Sequence, residues 1–130
     1  MEDLNLPRLI AALLPMLVLG EASLAKLFAR ETPSWFVDQF KDTWLGKFPA
    51  APQWWLVAVL ELAAAGLLLA GLVSGEFLAS SEPVLLQYGM LLSAVVFVML
   101  TFGLRVAGDF AGAANGYFYT GVTLGLYALL

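Results

Sequence analysis

Four stretches of the chain, at about 7–28, 53–73, 83–106 and 113–130, are each long and apolar enough to lie across a bilayer. A hydrocarbon core about 30 Å thick takes about 20 helical residues, and in it only helices and closed barrels satisfy their own backbone. Runs of this length are helices, not barrel strands. The expected fold class is therefore all-α: a transmembrane four-helix bundle forming one membrane domain of 130 residues. The composition agrees, since 62% of the residues are hydrophobic and 12% charged, well outside soluble usage. The net charge of −4 contains no basic run, which excludes a nucleic-acid partner and leaves the lipid bilayer as the first one. Glu2 and Asp3 stand where a secretory signal would carry basic residues, so the first stretch is predicted to be a retained span.

The ends of these stretches carry helix punctuation. Asn5 can cap the first and Pro7 sits in its first turn, where a missing N–H costs little. Trp54 and Trp55 open the second at the headgroup boundary, and Gly75 ends it. The connections at 75–82 and around Gly108 are short, so consecutive helices should pack antiparallel. Gly71 with Gly75, Gly112 with Gly116, and Gly121 with Gly125 have the spacing that lets helices approach closely, inside the bundle or across a dimer interface.

Between the first two spans, residues 32–46 change pattern. Phe36, Phe40 and Trp44 recur at i, i+4 and i+8, with Asp38, Lys41 and Asp42 turned elsewhere, as in an amphipathic helix lying in the membrane interface. Thr32 can cap it, and Pro49 and Pro52 end the segment. Its aromatic face, with Trp35, Phe36, Phe40 and Trp44, is either an anchor in the headgroups or a lid over a pocket.

Charges inside a span cost at least about 2.5 to 3.5 kcal/mol each on the insertion scale, so each calls for a partner, a cavity or a function. Glu21 lies roughly 10 Å in from the side of the long loop, and Glu61 enters the second span to a similar depth from the same side. Lys26, Arg105, Asp109, Asn115, Tyr117 and Tyr119 reach that half as well. The opposite half is predicted to be apolar, with Ser93 its main polar side chain. Lys26 and Arg105 can balance Glu21, Glu61 or Asp109. Snorkelling is the ordinary alternative for the two cations, and an i, i+4 ion pair is the ordinary one for Arg105 with Asp109. The candidate site thus has Glu61 and Glu21 as proton-handling groups and Lys26, Arg105, Asp109, Asn115, Tyr117 and Tyr119 as ligand contacts, and it has no metal. Cys and His are both absent, which removes the usual ligands of zinc, haem and iron–sulfur clusters, so no intrinsic cofactor is expected.

At these residues the chain resembles the DoxX/DoxD-like family of small four-helix membrane proteins. The likeness rests on G-E-A-S-L-A-K-L-F from Gly20 to Phe28 and on L-E-L-A-A-A-G-L-L-L-A-G-L from Leu60 to Leu72, and it covers roughly the first 75 residues. It singles out Lys26 and Glu61. It implies a helical bundle in the prokaryotic cytoplasmic membrane, linked to quinone-dependent oxidation of sulfur compounds such as thiosulfate or associated with a terminal oxidase. Quinone would then be a substrate.

Three functions follow as expectations. One is a quinone-linked oxidoreductase in which a small anion binds at Lys26 and Arg105. The second is a non-catalytic accessory subunit of a respiratory complex, buried against partner subunits or a second copy. The third, a small-ligand or lipid binder, also fits a polar half-pocket, whereas the lack of an internal repeat argues against an alternating-access carrier. Lys26, Arg30, Lys41, Lys47 and Arg105 on the long-loop side, against Arg8 on the other, place that side in the cytoplasm.

Overall fold

The computed structural model describes residues 3–130 and is all-helical, with five α-helices. Glu2, used above to argue against a signal peptide, lies outside the described residues. Helix α1 spans Leu6–Ala29, and Asn5 caps it by accepting the Arg8 backbone N–H at 3.1 Å. Helix α2 covers Ser34–Phe40, a 3₁₀ turn follows at Trp44–Lys47, and α3 runs Ala50–Val73. Helix α4 is Val84–Val106 and α5 is Phe110–Tyr127. Among the described residues the only β pairing is an isolated bridge between Leu4 and Leu78.

Three of these helices, α1, α3 and α4, are long and apolar enough to cross a membrane. Helix α5 falls short because its 18 residues include Asn115, Tyr117, Tyr119, Thr120 and Thr123. Of the four expected spans, the structure thus supports three by length and composition. Closure of the bundle is uneven too: α1 packs on α3, α3 on α4 and α4 on α5, but α1 and α5 touch lightly. A small cleft remains between Leu14, Pro15 and Val18 of α1 and Phe118, Tyr119 and Val122 of α5.

Two layers of core hold the helices. Leu19, Ala64, Ala65, Val96 and Phe97 form one, and Ala12, Leu68 and Leu86 the other. Small residues set the spacing. A Cβ on Gly89 would lie 2.8 Å from Leu68 Cγ, and one on Gly71 would lie 2.7 Å from Leu86 Cδ2. A Cβ on Gly116 would overlap the Thr101 side chain. Of the three glycine pairs, the one at Gly121 and Gly125 faces open space.

The predicted interfacial helix is broken in two. Thr43 turns back on α2, its backbone N–H and hydroxyl both donating to Phe40 O at 3.0 and 2.8 Å, and this local bonding competes with helix continuation. Pro33, not Thr32, occupies the N-cap position, with no side-chain bond. Pro52 lies inside the first turn of α3 and not before it, where a missing N–H is tolerated.

Candidate functional site

On the long-loop side, α1 and α3 are joined by a salt bridge in which Lys26 Nζ stands 2.5 Å from Glu61 Oε1. It is the one ion pair found among the described residues. Glu61 is 2% exposed, so its charge is compensated from within the protein and not by water. The register explains the meeting. Lys26 shares a face of α1 with Ala22, Ala25 and Ala29, whose short side chains leave room for a lysine stem to lie along the helix toward α3. Snorkelling, the alternative for Lys26, is not what the structure shows.

Beside this pair opens a cavity of about 680 Å³. Lys26, Trp54, Val57, Met99, Leu100 and Gly103 form its wall, and Trp35, Phe36 and Phe40 of α2 line it on the side of the long loop. Of the residues expected to form a headgroup anchor or a lid, Trp35, Phe36 and Phe40 line this cavity. Trp44 does not line the cavity; it packs edge-on against Phe102, with centroids 6.0 Å apart. Trp54 ties wall to lid, lying 4.9 Å from Phe36 and 5.5 Å from Trp35 between centroids. Lys26 Nζ sits 5.1 Å from the centre of the Trp54 ring, within cation–π range. The Trp54 indole N–H is buried and has no acceptor. A buried donor without a partner is costly and uncommon, and it is satisfied when an acceptor is supplied. The Lys26 ammonium and the amides of Gln39 and Gln53 are the polar groups of an otherwise apolar cavity; the Gln53 amide nitrogen is already held by the carbonyls of Leu45, Phe48 and Pro49, and the Trp54 indole nitrogen is sealed from the cavity surface. Such an enclosure suits a molecule with an aromatic or aliphatic body and an oxygen-bearing head.

The other predicted site residues lie elsewhere. Glu21 is exposed on the outer face of α1 and makes no hydrogen bond among the described residues. It precedes Ser23, which is wholly buried, by two residues, and at about 100° per residue that turns it away from the core. The structure therefore does not bring Glu21 into the Lys26–Glu61 pair. Arg105 and Asp109 form no ion pair: the Arg105 guanidinium stacks 4.4 Å from the Phe110 ring centre, and Asp109 Oδ1 accepts the Gly112 N–H at 2.9 Å as the α5 N-cap. Arg105 and Tyr117 share a second groove of similar size with Thr101, Phe102 and Phe110. Lys26 and Arg105 thus face different cavities, with Phe102 common to both. Asn115 is exposed, and Tyr119, on another face of α5, stacks on Phe97 at 5.7 Å.

The opposite end holds a polar assembly that the sequence reading assigned to an apolar half. Arg8 is buried, and its Nη1 donates to the carbonyl oxygens of Glu76, Leu78 and Ser81 at 3.0, 2.8 and 3.0 Å. Its Nη2 donates to Leu130 O at 3.0 Å. Glu76, also buried, accepts the Leu86 N–H through Oε1 at 3.0 Å and so caps the start of α4. The only signal in the sequence was a charged residue at each end of apolar runs, which interfacial exposure explains equally well. Both terminal nitrogens of Arg8 are engaged, Nη1 with the turn at 75–82 and Nη2 with Leu130, while its buried Nε has no partner, and these bonds give the assembly a structural role.

Compared with protein-family profiles, curated proteins and solved structures, the chain matches none of them.

Proposed function

We propose that this is a four-span integral membrane protein of the DoxX/DoxD-like kind that binds a quinone-type ligand in the cavity beneath α2, as part of quinone-dependent redox chemistry in a prokaryotic cytoplasmic membrane. The observation that carries the reading is the Lys26–Glu61 pair beside an aromatic-lidded enclosure whose Trp54 N–H lacks an acceptor. A quinone supplies what the enclosure lacks. Its ring stacks among Trp54, Phe36 and Trp35, one carbonyl oxygen accepts from the Lys26 ammonium, a shift of the Trp54 ring on binding brings its N–H to the same oxygen, and the tail leaves through the apolar wall. Glu61, already sharing a hydrogen bond with Lys26, is the group that passes protons through Lys26 as the ring is reduced. Electrons come from a partner redox subunit or from a reduced sulfur anion. The two-cation anion site at Lys26 and Arg105 is no longer part of this reading, because those residues face different cavities.

Titration of the detergent-purified protein with a short-tailed ubiquinone or menaquinone analogue tests it. The expected result is saturable quenching of tryptophan fluorescence, lost in Lys26→Met and weakened in Trp54→Phe. Non-saturable quenching, unchanged by both substitutions, would reject it.

The accessory-subunit reading is favoured by a separate observation, the loose contact between α1 and α5, which leaves a small apolar cleft that side chains of a partner helix can enter. Isolation in mild detergent with a stoichiometric membrane partner is its expected outcome.

A further inference from the structure

Glu21 is a carboxylate on the outside of a membrane-length helix, and among the described residues no ion pair or hydrogen bond compensates it. It lies about 12 Å in from Ala29 at ~1.5 Å per residue, deeper than a glutamate side chain can bridge to water. The outer face that carries it is regular. Ile10, Leu14, Leu17, Leu24 and Phe28 are all exposed, and with Glu21 they alternate by four and three residues, the spacing of the a and d positions of a coiled-coil seam. Glu21 takes an a position. Helix α4 has the same spacing on its outer face, from Val84 through Tyr88, Leu91, Val95 and Val98 to Phe102, but there no Asp, Glu, Lys or Arg interrupts it until Arg105 near the helix end. The spacing alone describes any outward face; the charge sets α1 apart.

The cations of this chain do not supply a partner at that depth. Lys26 is engaged with Glu61, Arg8 is engaged at the opposite end, and Arg105 stacks on Phe110. Arg30, Lys41 and Lys47 lie beyond the end of α1 or in the segment after it. A second copy solves the problem without any further residue. When two parallel helices meet about a two-fold axis, each a position faces its own equivalent, and two carboxyl groups brought together share a proton through a hydrogen bond. We infer that the chain forms a two-fold dimer through the α1 outer face, with Glu21 of each copy hydrogen-bonded to Glu21 of the other.

The chain contains no cysteine, which makes the test direct. Single substitutions Leu17→Cys and Leu24→Cys on the seam, with Val59→Cys on α3 and Val98→Cys on α4 as outward-facing controls, are oxidised in native membranes and run without reductant. Crosslinked dimer is expected at the two seam positions and not at the controls. In two-colour co-localisation of single molecules in bilayers, Glu21→Gln keeps the dimer and Glu21→Leu weakens it roughly tenfold, the scale of one interhelical hydrogen bond between model peptides. Each variant is first shown to unfold at the wild-type temperature, so that loss of dimer is not loss of fold. Equal crosslinking at all four positions, a dimer indifferent to Glu21→Leu, or a monomer whose Glu21 is instead needed to retain a different membrane protein would each overturn the inference.

Discussion

Lys26 Nζ stands 2.5 Å from Glu61 Oε1 and links α1 to α3 at the wall of the cavity. Charges so placed are strongly interdependent, because removing one leaves the other buried without compensation. Lys26→Met is therefore expected to lower stability by about 3 to 5 kcal/mol, whereas Lys26→Met combined with Glu61→Leu recovers most of that loss. A double-mutant cycle on reversible unfolding in detergent measures the coupling, and additive effects of the two substitutions would mean that the pair is not formed.

The buried Arg8 makes a second, separable prediction at the other end of the molecule. Its four donated bonds hold the 75–82 turn and Leu130 against α1, and hydrogen bonds from a charged group are worth about 1.5 to 3 kcal/mol each. Arg8→Lys keeps the charge but loses the planar fork. It should destabilise by at least about 2 kcal/mol and expose the amides of the 75–82 turn to hydrogen exchange, with no change at Lys26 or in ligand affinity.

How much of this was legible in the sequence depends on which coordinate a residue's role rests on. Depth along a helix can be counted, so hydropathy located α1, α3 and α4, and depth brought Lys26 within reach of either Glu21 or Glu61 without choosing between them. Azimuth around the helix is a separate quantity. Glu21 and Glu61 agree in depth, yet Glu21 belongs to the Leu14, Leu17 and Leu24 face, while Lys26 belongs to the Ala22, Ala25 and Ala29 face. Small residues mark where helices approach and large aliphatic ones mark the outside, so the distinction was present in the sequence for a reading that used both coordinates. The Arg8 assembly was not legible, because it joins α1 to a turn some 70 residues away and nothing local to either segment announces the other. The break in α2 turns on Thr43 bonding back to Phe40, a competition between side chain and backbone that hydrophobic periodicity does not register.

Two glycines of α5 make a matched comparison. Gly116 lies where a Cβ would meet Thr101, whose Cα is 3.1 Å from that position, while Gly121 faces open space. Alanine is favoured over glycine in a helix interior by about 1 kcal/mol. Gly121→Ala should accordingly be neutral or stabilising by up to about 1 kcal/mol. Gly116→Ala should cost about 1 to 3 kcal/mol, because the backbone of α4 has to yield. Thermal unfolding of the two variants side by side decides it: equal shifts would show that α4 and α5 do not approach at Thr101.

Trp54→Phe separates packing from ligand recognition at the cavity. The substitution removes an N–H that is buried without an acceptor, and it keeps an aromatic ring against Trp35 and Phe36. Losing the unsatisfied donor offsets part of the lost ring contact, so stability should change by less than about 1.5 kcal/mol. Affinity for a quinone analogue should fall more steeply, by about tenfold, the scale of one hydrogen bond to a carbonyl oxygen. With Trp35, Trp44 and Trp55 still reporting by fluorescence, binding can be followed in the variant itself, and calorimetric titration supplies a readout that does not depend on the chromophore removed. An unchanged affinity would assign the orphan N–H no part in recognition and would leave the Lys26 ammonium as the group that holds the ligand's oxygen.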